Sequence, residues 1–155
     1  MTTVTFDLWQ TLLLDNRELG RARAQVRLDS AQKALKQFGE EYDLDHIQEA
    51  YRSCYRYCHA VRDQNLDVAF QEQVEVFISN ISPGLVNRLP EEVAQEIMTA
   101  YSDSFFVHPP LLHVDAFKVL SQAKDAGLRI GLISNTGMTP GVAFRKFLGQ
   151  HNMLD

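Results

Sequence analysis

Val4-Thr5-Phe6-Asp7-Leu8 runs straight into Trp9-Gln10-Thr11-Leu12-Leu13-Leu14, and this stretch decides how the rest of the chain is read. β-branched and aromatic residues lead to an aspartate, which predicts a short strand with a carboxylate at its carboxyl end. Its counterpart lies towards the other end of the chain. Leu128-Arg129-Ile130-Gly131-Leu132-Ile133 is a near-continuous apolar run that stops in Ser134-Asn135-Thr136-Gly137. Such a run reads as a strand. In open α/β sheets the ligand sits outside the carboxyl ends of the strands. If the two strands are parallel neighbours, Asp7 and Thr11 therefore converge with Ser134 and Asn135. A carboxylate at such a point can act as a nucleophile. A hydroxyl and backbone N–H groups at a strand-to-helix turn can hold an anionic group.

Between the two strands the period changes to helical. Ile47, Ala50, Tyr51, Cys54, Tyr55, Cys58 and Val61 fall on one helical stripe. Leu19, Ala22, Val26 and the stretch from Leu35 to Phe38 mark a helix before it; Phe70, Val74, Phe77, Ile78 and Ile81, then Val93, Ile97, Tyr101 and Phe105, mark two after it. Four amphipathic helices predict a small bundle. Gly39, Ser82-Pro83-Gly84 and Pro90 separate them. His108-Pro109-Pro110 reads as a stiff linker, with His108 and His113 as solvent or hinge residues. Beyond it, Val114, Phe117, Leu120 and Ala123 predict a helix capped by Gly127. Thr139 and Pro140 predict an N-cap and first position for a last helix through Leu148. The expected fold class is α/β, predominantly helical by residue count, with a Rossmann-type parallel core from residues 1–14 and 109–155 and a helical domain inserted over 15–108.

The chain has 155 residues with 45% hydrophobic and 23% charged, which excludes a disordered or fibrous class. No apolar run approaches the roughly 20 residues needed to span a bilayer. The start of the chain has no basic region of the signal-peptide kind, so a cytoplasmic protein is expected. A net charge of -5 with scattered basic residues argues against nucleic acid as a partner. Cys54, Cys58 and His59 suggest a metal cluster, but the cysteines lie on the apolar stripe and no second ligand pair has zinc spacing, so they are expected as buried small hydrophobes. Arg17, Arg21 and Arg23 are expected on a solvated face, from which one of them could reach an anionic substrate.

Phe6-Asp7-Leu8-Trp9-Gln10-Thr11-Leu12 and Leu132-Ile133-Ser134-Asn135-Thr136-Gly137, with a helical block between them, resemble the haloacid dehalogenase superfamily. The first stretch is similar to that family's motif I and the second to its motif II; the insert resembles the cap of one large branch. The resemblance implies a hydrolase acting on a small anionic organic substrate, by phosphate ester hydrolysis or haloacid dehalogenation. It implies Asp7 as nucleophile, Thr11 fixing the motif I loop, Ser134 holding the phosphate or carboxylate, and Asn135 supporting that turn. Phosphatases of the family carry a second Asp where this chain has Trp9. An indole cannot protonate an alkoxide leaving group, whereas halide leaves without a proton. Trp9 therefore tilts the balance towards dehalogenation or weak phosphatase activity, and is either a substrate contact or a packing residue. Magnesium is implied only for phosphatase-like chemistry, with the Asp7 carboxylate and the Trp9 backbone carbonyl as ligands; dehalogenase-like chemistry implies no cofactor.

The same resemblance implies a motif III lysine and a motif IV acidic pair after motif II. No Lys follows Lys146, which sits in the helix after motif II. The chain alone is therefore expected to be catalytically impaired, or to be part of a longer protein. A short parallel sheet with open edges predicts association, such as a homo-oligomer formed through the sheet. The alternative is a non-catalytic interaction or regulatory module built on the same fold.

Overall fold

The structure, a computed structural model, describes residues 2–154. In chain order it contains β1 (Thr3–Phe6), β2 (Leu13–Leu14), α1 (Arg17–Phe38), α2 (Leu44–Arg62), α3 (Phe70–Ile81), α4 (Leu85–Arg88), α5 (Glu91–Val107), β3 (Leu111–Leu112), α6 (Ala116–Asp125), β4 (Arg129–Leu132) and α7 (Gly141–Gln150). The fold is α/β and mostly helical.

β1 and β4 pair in parallel, with Thr3 opposite Arg129 and Phe6 opposite Leu132. The strands are shorter than the apolar runs predict. Their ladder continues one step further, where the Ile133 N–H donates to the Phe6 carbonyl at 3.0 Å. Thr5 faces Gly131 in this register. A Cβ at Gly131 would stand 3.3 Å from Thr5 Cγ2, so the small residue lets the two strands close up.

Asn16 caps α1 by accepting from the Leu19 N–H at 2.9 Å, and Gly39 ends the helix at φ 93. The four long helices of the insert are those predicted, with the short α4 as an addition between α3 and α5. They enclose one apolar core in which Leu35, Ile47, Cys54, Phe77, Leu85 and Tyr101 are buried. A second core gathers Leu8, Leu12 and Leu13 with Phe105, Ala116, Phe144, Phe147 and Leu148. Phe105 therefore extends the last long helix of the insert into the core beneath the strand ends.

The two chain crossings between these cores are not free linkers. β2 and β3 form an antiparallel ribbon with Leu13 opposite Leu112. Beside it Arg23 forms an ion pair with Asp15 and donates to the His108 carbonyl at 3.0 Å. This corrects the solvated face expected for Arg23, which is 6% exposed; Arg17 and Arg21 are exposed as expected. The cause is pairing: the guanidinium can be buried because a carboxylate and a carbonyl receive it.

Two further expectations, on Thr139 and on α6, need correction. Thr139 does not cap α7. Pro140 occupies the cap position with extended backbone, the helix starts at Gly141, and the Thr139 side chain is turned into the protein. The stripe proposed for α6 is half open: Ala123 is buried and Leu120 packs partly against the second core, but Val114 and Phe117 are exposed. His113 turns the chain after β3, its Nδ1 accepting from the Asp115 N–H at 3.1 Å.

Candidate functional site

The parallel register puts the carboxyl ends of β1 and β4 on one edge, where Asp7 follows β1 directly and Ser134 comes two residues after β4. Asp7 is exposed, and its Oδ1 accepts from the Leu8 N–H at 2.7 Å. The following residues form a tight loop. The Leu12 and Leu13 N–H groups both donate to the Leu8 carbonyl, at 3.0 and 2.8 Å, and the Gln10 N–H donates to the Leu13 carbonyl at 2.7 Å. Gln10 takes a left-handed conformation, φ 55, which allows so sharp a reversal. Backbone bonds thus close the loop, while the Thr11 side chain is exposed and makes no hydrogen bond among the described residues.

Trp9 lies edge-on to Phe144, with ring centroids 5.2 Å apart, and to Phe105 at 6.4 Å. These contacts fix its indole in the second core. Lys146 places its Nζ over the Phe106 ring, 4.8 Å from the centroid.

Ser134 is half-buried, and its Oγ is shielded from solvent without a hydrogen-bond partner among the described residues. Asn135 is exposed. The loop then turns back onto the helical insert. Gly137 has φ 61, a conformation natural to glycine, and the loop closes with the Thr139 N–H donating to the Thr136 carbonyl at 3.2 Å. The Gly137 carbonyl accepts from Arg62 Nη2 at 2.9 Å and from Gln73 Nε2 at 3.3 Å. Met138 packs against the core of the insert, and Thr139 Oγ1 lies 3.4 Å from Arg27 Nη2.

Arg27 is 5% exposed and has no carboxylate among its partners. Its Nε donates to the Tyr101 carbonyl and Ser104 Oγ, its Nη1 donates to the Tyr51 hydroxyl, and the guanidinium stacks 4.5 Å from the Tyr101 ring centroid. Hydrogen bonds and the ring face together replace the water this cation has lost. Burial pushes the Tyr101 phenol well above its ordinary ionisation range. Neither Arg27, Arg62 nor Gln73 was singled out by the sequence reading. The available signal was the pair Arg23 and Arg27, one helical turn apart on the stripe that continues into Ala31, Ala34 and Leu35.

The two cysteines behave as buried hydrophobes. Cys54 donates to the Gln73 carbonyl at 3.1 Å, and burial pushes its thiol up to about 12. No group of three or more His, Cys, Asp or Glu residues able to hold a metal occurs among the described residues. For magnesium, this chain offers the Asp7 carboxylate, with one oxygen already engaged by the Leu8 N–H, and the Trp9 carbonyl. The ion demands an octahedral set of hard oxygens, so these residues do not make a magnesium site on their own.

Below the strand ends an open groove of about 540 Å³ runs between α6, β4 and α7. Leu8, Leu120, Leu132 and Phe144 contribute apolar lining, and Ser134 and Thr136 are among its polar lining residues; Asp7 is not part of the lining.

The fold is that of an α/β protein with a parallel strand pair, a mostly helical segment lying between the two strands in the chain, and Asp7 and Ser134 following the strand ends. Among solved structures, a dehalogenase is similar to this chain, with a TM-score of 0.41 and 15% identity. The alignment covers 100% of this chain, which spans 60% of that one. No family model and no curated protein matches. No helix of the described residues is long and apolar enough to cross a membrane.

Proposed function

We propose that this chain is the cap-bearing part of a hydrolase similar to the haloacid dehalogenases, in which Asp7 attacks a small anionic organic substrate. The observation that carries this reading is the parallel pairing of Phe6 with Leu132, because it brings an exposed carboxylate and a shielded, unpartnered hydroxyl to the same edge. In this reading residues 1–14 and 109–155 are core and 15–108 are cap. Ser134 Oγ donates to the substrate's carboxylate or phosphate, with Asn135 beside it, and Trp9 walls the site from below.

Dehalogenation suits the residues best. An Asp7 oxygen attacks the carbon that bears halogen; the carbon–oxygen bond forms as the carbon–halogen bond breaks, and halide leaves with the bonding electrons. Water then adds to the ester carbonyl; its oxygen stays in the restored Asp7 carboxylate, one of its protons leaves with the hydroxyacid as the acyl–oxygen bond breaks, and the other passes to solvent. No step needs a proton donor where Trp9 stands, whereas phosphate ester hydrolysis does.

The test is turnover of an α-haloacid and of an alkyl phosphate such as glycerol phosphate, whose alkoxide must be protonated to leave, by the chain and by Asp7→Asn. Halide release abolished by the substitution, with phosphate release weak or absent, supports this reading. Activity that survives Asp7→Asn ends it.

A second reading, a non-catalytic module that associates through its sheet, is favoured by one observation: the apolar groove beside β4 is open to solvent. It expects self-association in light scattering and no Asp7-dependent turnover.

A further inference from the structure

We infer that Arg62 and Gln73 are positioning residues: from the helical insert they grip the Gly137 carbonyl, and so set where Ser134 and Asn135 stand against Asp7. This rests on the strand-end site proposed for Asp7 and Ser134.

The loop after β4 is held at two places. On one side the Ile133 N–H is bonded to the Phe6 carbonyl, which ties the loop to β1. On the other side the Gly137 carbonyl takes two donors from different elements: Arg62 from the end of α2, and Gln73 from α3. Only residues 134–136 lie between these anchors, so the second anchor controls the path of both polar residues.

The grip is built rather than incidental. The Arg62 side chain is 12% exposed and is aimed by Asp67, whose Oδ1 accepts from Arg62 Nε at 2.9 Å. Asp67 is itself steadied, because the same oxygen accepts from the Val68 N–H at 2.9 Å. Gln73 is 3% exposed, and its Nε2 divides between the Val68 carbonyl at 2.8 Å and Gly137. Its Oε1 is buried without a partner. An apolar side chain would spare that desolvation cost, so what the glutamine supplies here is its donor. Met138 entering the core of the insert adds an apolar hold beside the polar one. A guanidinium on a carbonyl is a charge-assisted bond, stronger than a neutral one.

Neither side chain is placed at the reacting atoms. Their effect should fall on how well Ser134 holds the substrate's anionic group, hence on KM more than on kcat.

The experiment uses the full chain with Arg62→Ala, Arg62→Lys and Gln73→Leu. Hydrogen exchange by mass spectrometry is read over residues 134–140 and over α3, and steady-state kinetics are taken with an α-haloacid. Arg62→Ala should speed exchange in 134–140 by about tenfold with α3 unchanged, and raise KM by about tenfold, the scale of one charge-assisted hydrogen bond. Arg62→Lys, which keeps a cationic donor, should recover part of both. Should Arg62→Ala fail to fold by circular dichroism, Gln73→Leu carries the test, with a smaller effect of the same sign. Unchanged loop exchange and KM in the folded variants, alongside turnover by the unmodified chain, overturn the positioning role and leave the site reading intact. Absence of Asp7-dependent turnover in the unmodified chain overturns the site reading, and the positioning role with it.

Discussion

In the helical insert, Phe77 is 0% and Tyr101 1% exposed, whereas across the strand pair Leu132 is 40% and Ile133 68% exposed. The difference follows from geometry. Each helix of the insert has one apolar stripe, and neighbouring helices can cover it completely. Two parallel strands present two faces and two edges, and α6 with α7 cannot cover them all. Stability is therefore concentrated in one region and the proposed chemistry in the other. Phe105 among the rings of the second core, Met138 against the insert, and the polar contacts of Arg27 with Thr139 and Arg62 with Gly137 join them.

The comparison is broken most severely by Phe77→Ala. Truncating a fully buried phenylalanine in the insert should lower unfolding free energy by about 3–5 kcal/mol. Leu132→Ala, on the open face of β4, should cost less than about 1 kcal/mol. Urea denaturation of the two variants measures both, and equal losses would show that the two regions do not differ in this way.

Next comes the seam between them. Arg23→Ala strands the Asp15 carboxylate, which already has one buried oxygen without a partner. A loss of about 3 kcal/mol is expected, against less than about 0.5 kcal/mol for the exposed Arg17→Ala. The same denaturation series reports it.

A smaller effect depends on pH. Folding raises the Cys54 thiol from an ordinary 9.0 to about 12. The native state therefore holds a proton that the unfolded chain releases, and stability falls as pH rises between those values, not below them. The buried Tyr101 phenol acts in the same direction. Cys54→Ala should lower Tm by a constant amount across the neutral region and flatten its alkaline slope against pH.

The least effect belongs to Val114→Ser. Val114 is 88% exposed, and the change should lie within about 0.5 kcal/mol of zero.

Much of this architecture was legible in the residues. Helical periodicity found all four long helices of the insert, because an apolar stripe such as Ile47, Cys54 and Cys58 must be covered. The two strand-like runs are legible as well, and β1 and β4 pair in parallel as the strand-end reading requires. What stayed hidden was every feature that depends on distant partners. The local pattern puts Arg23 on a solvated face and leaves Arg27 unmarked; only the fold supplies Asp15, the His108 carbonyl, Tyr51 and Ser104 to receive them. Thr139 followed by Pro140 fits a helix start by propensity, yet the Thr139 side chain meets Arg27. The Gly137 carbonyl as a docking point has no sequence signal at all, since any residue carries one.

The central claim is that Asp7 is a nucleophile at the shared edge of β1 and β4. Single-turnover reaction of an α-haloacid in heavy-oxygen water, followed by mass spectrometry of the peptide carrying Asp7, tests it most directly. If an ester forms at Asp7 and water opens it at the carbonyl, the label enters the Asp7 carboxylate and the released hydroxyacid is unlabelled. Label found only in the product, with Asp7 unlabelled, would mean that water attacks the substrate directly and would contradict the claim.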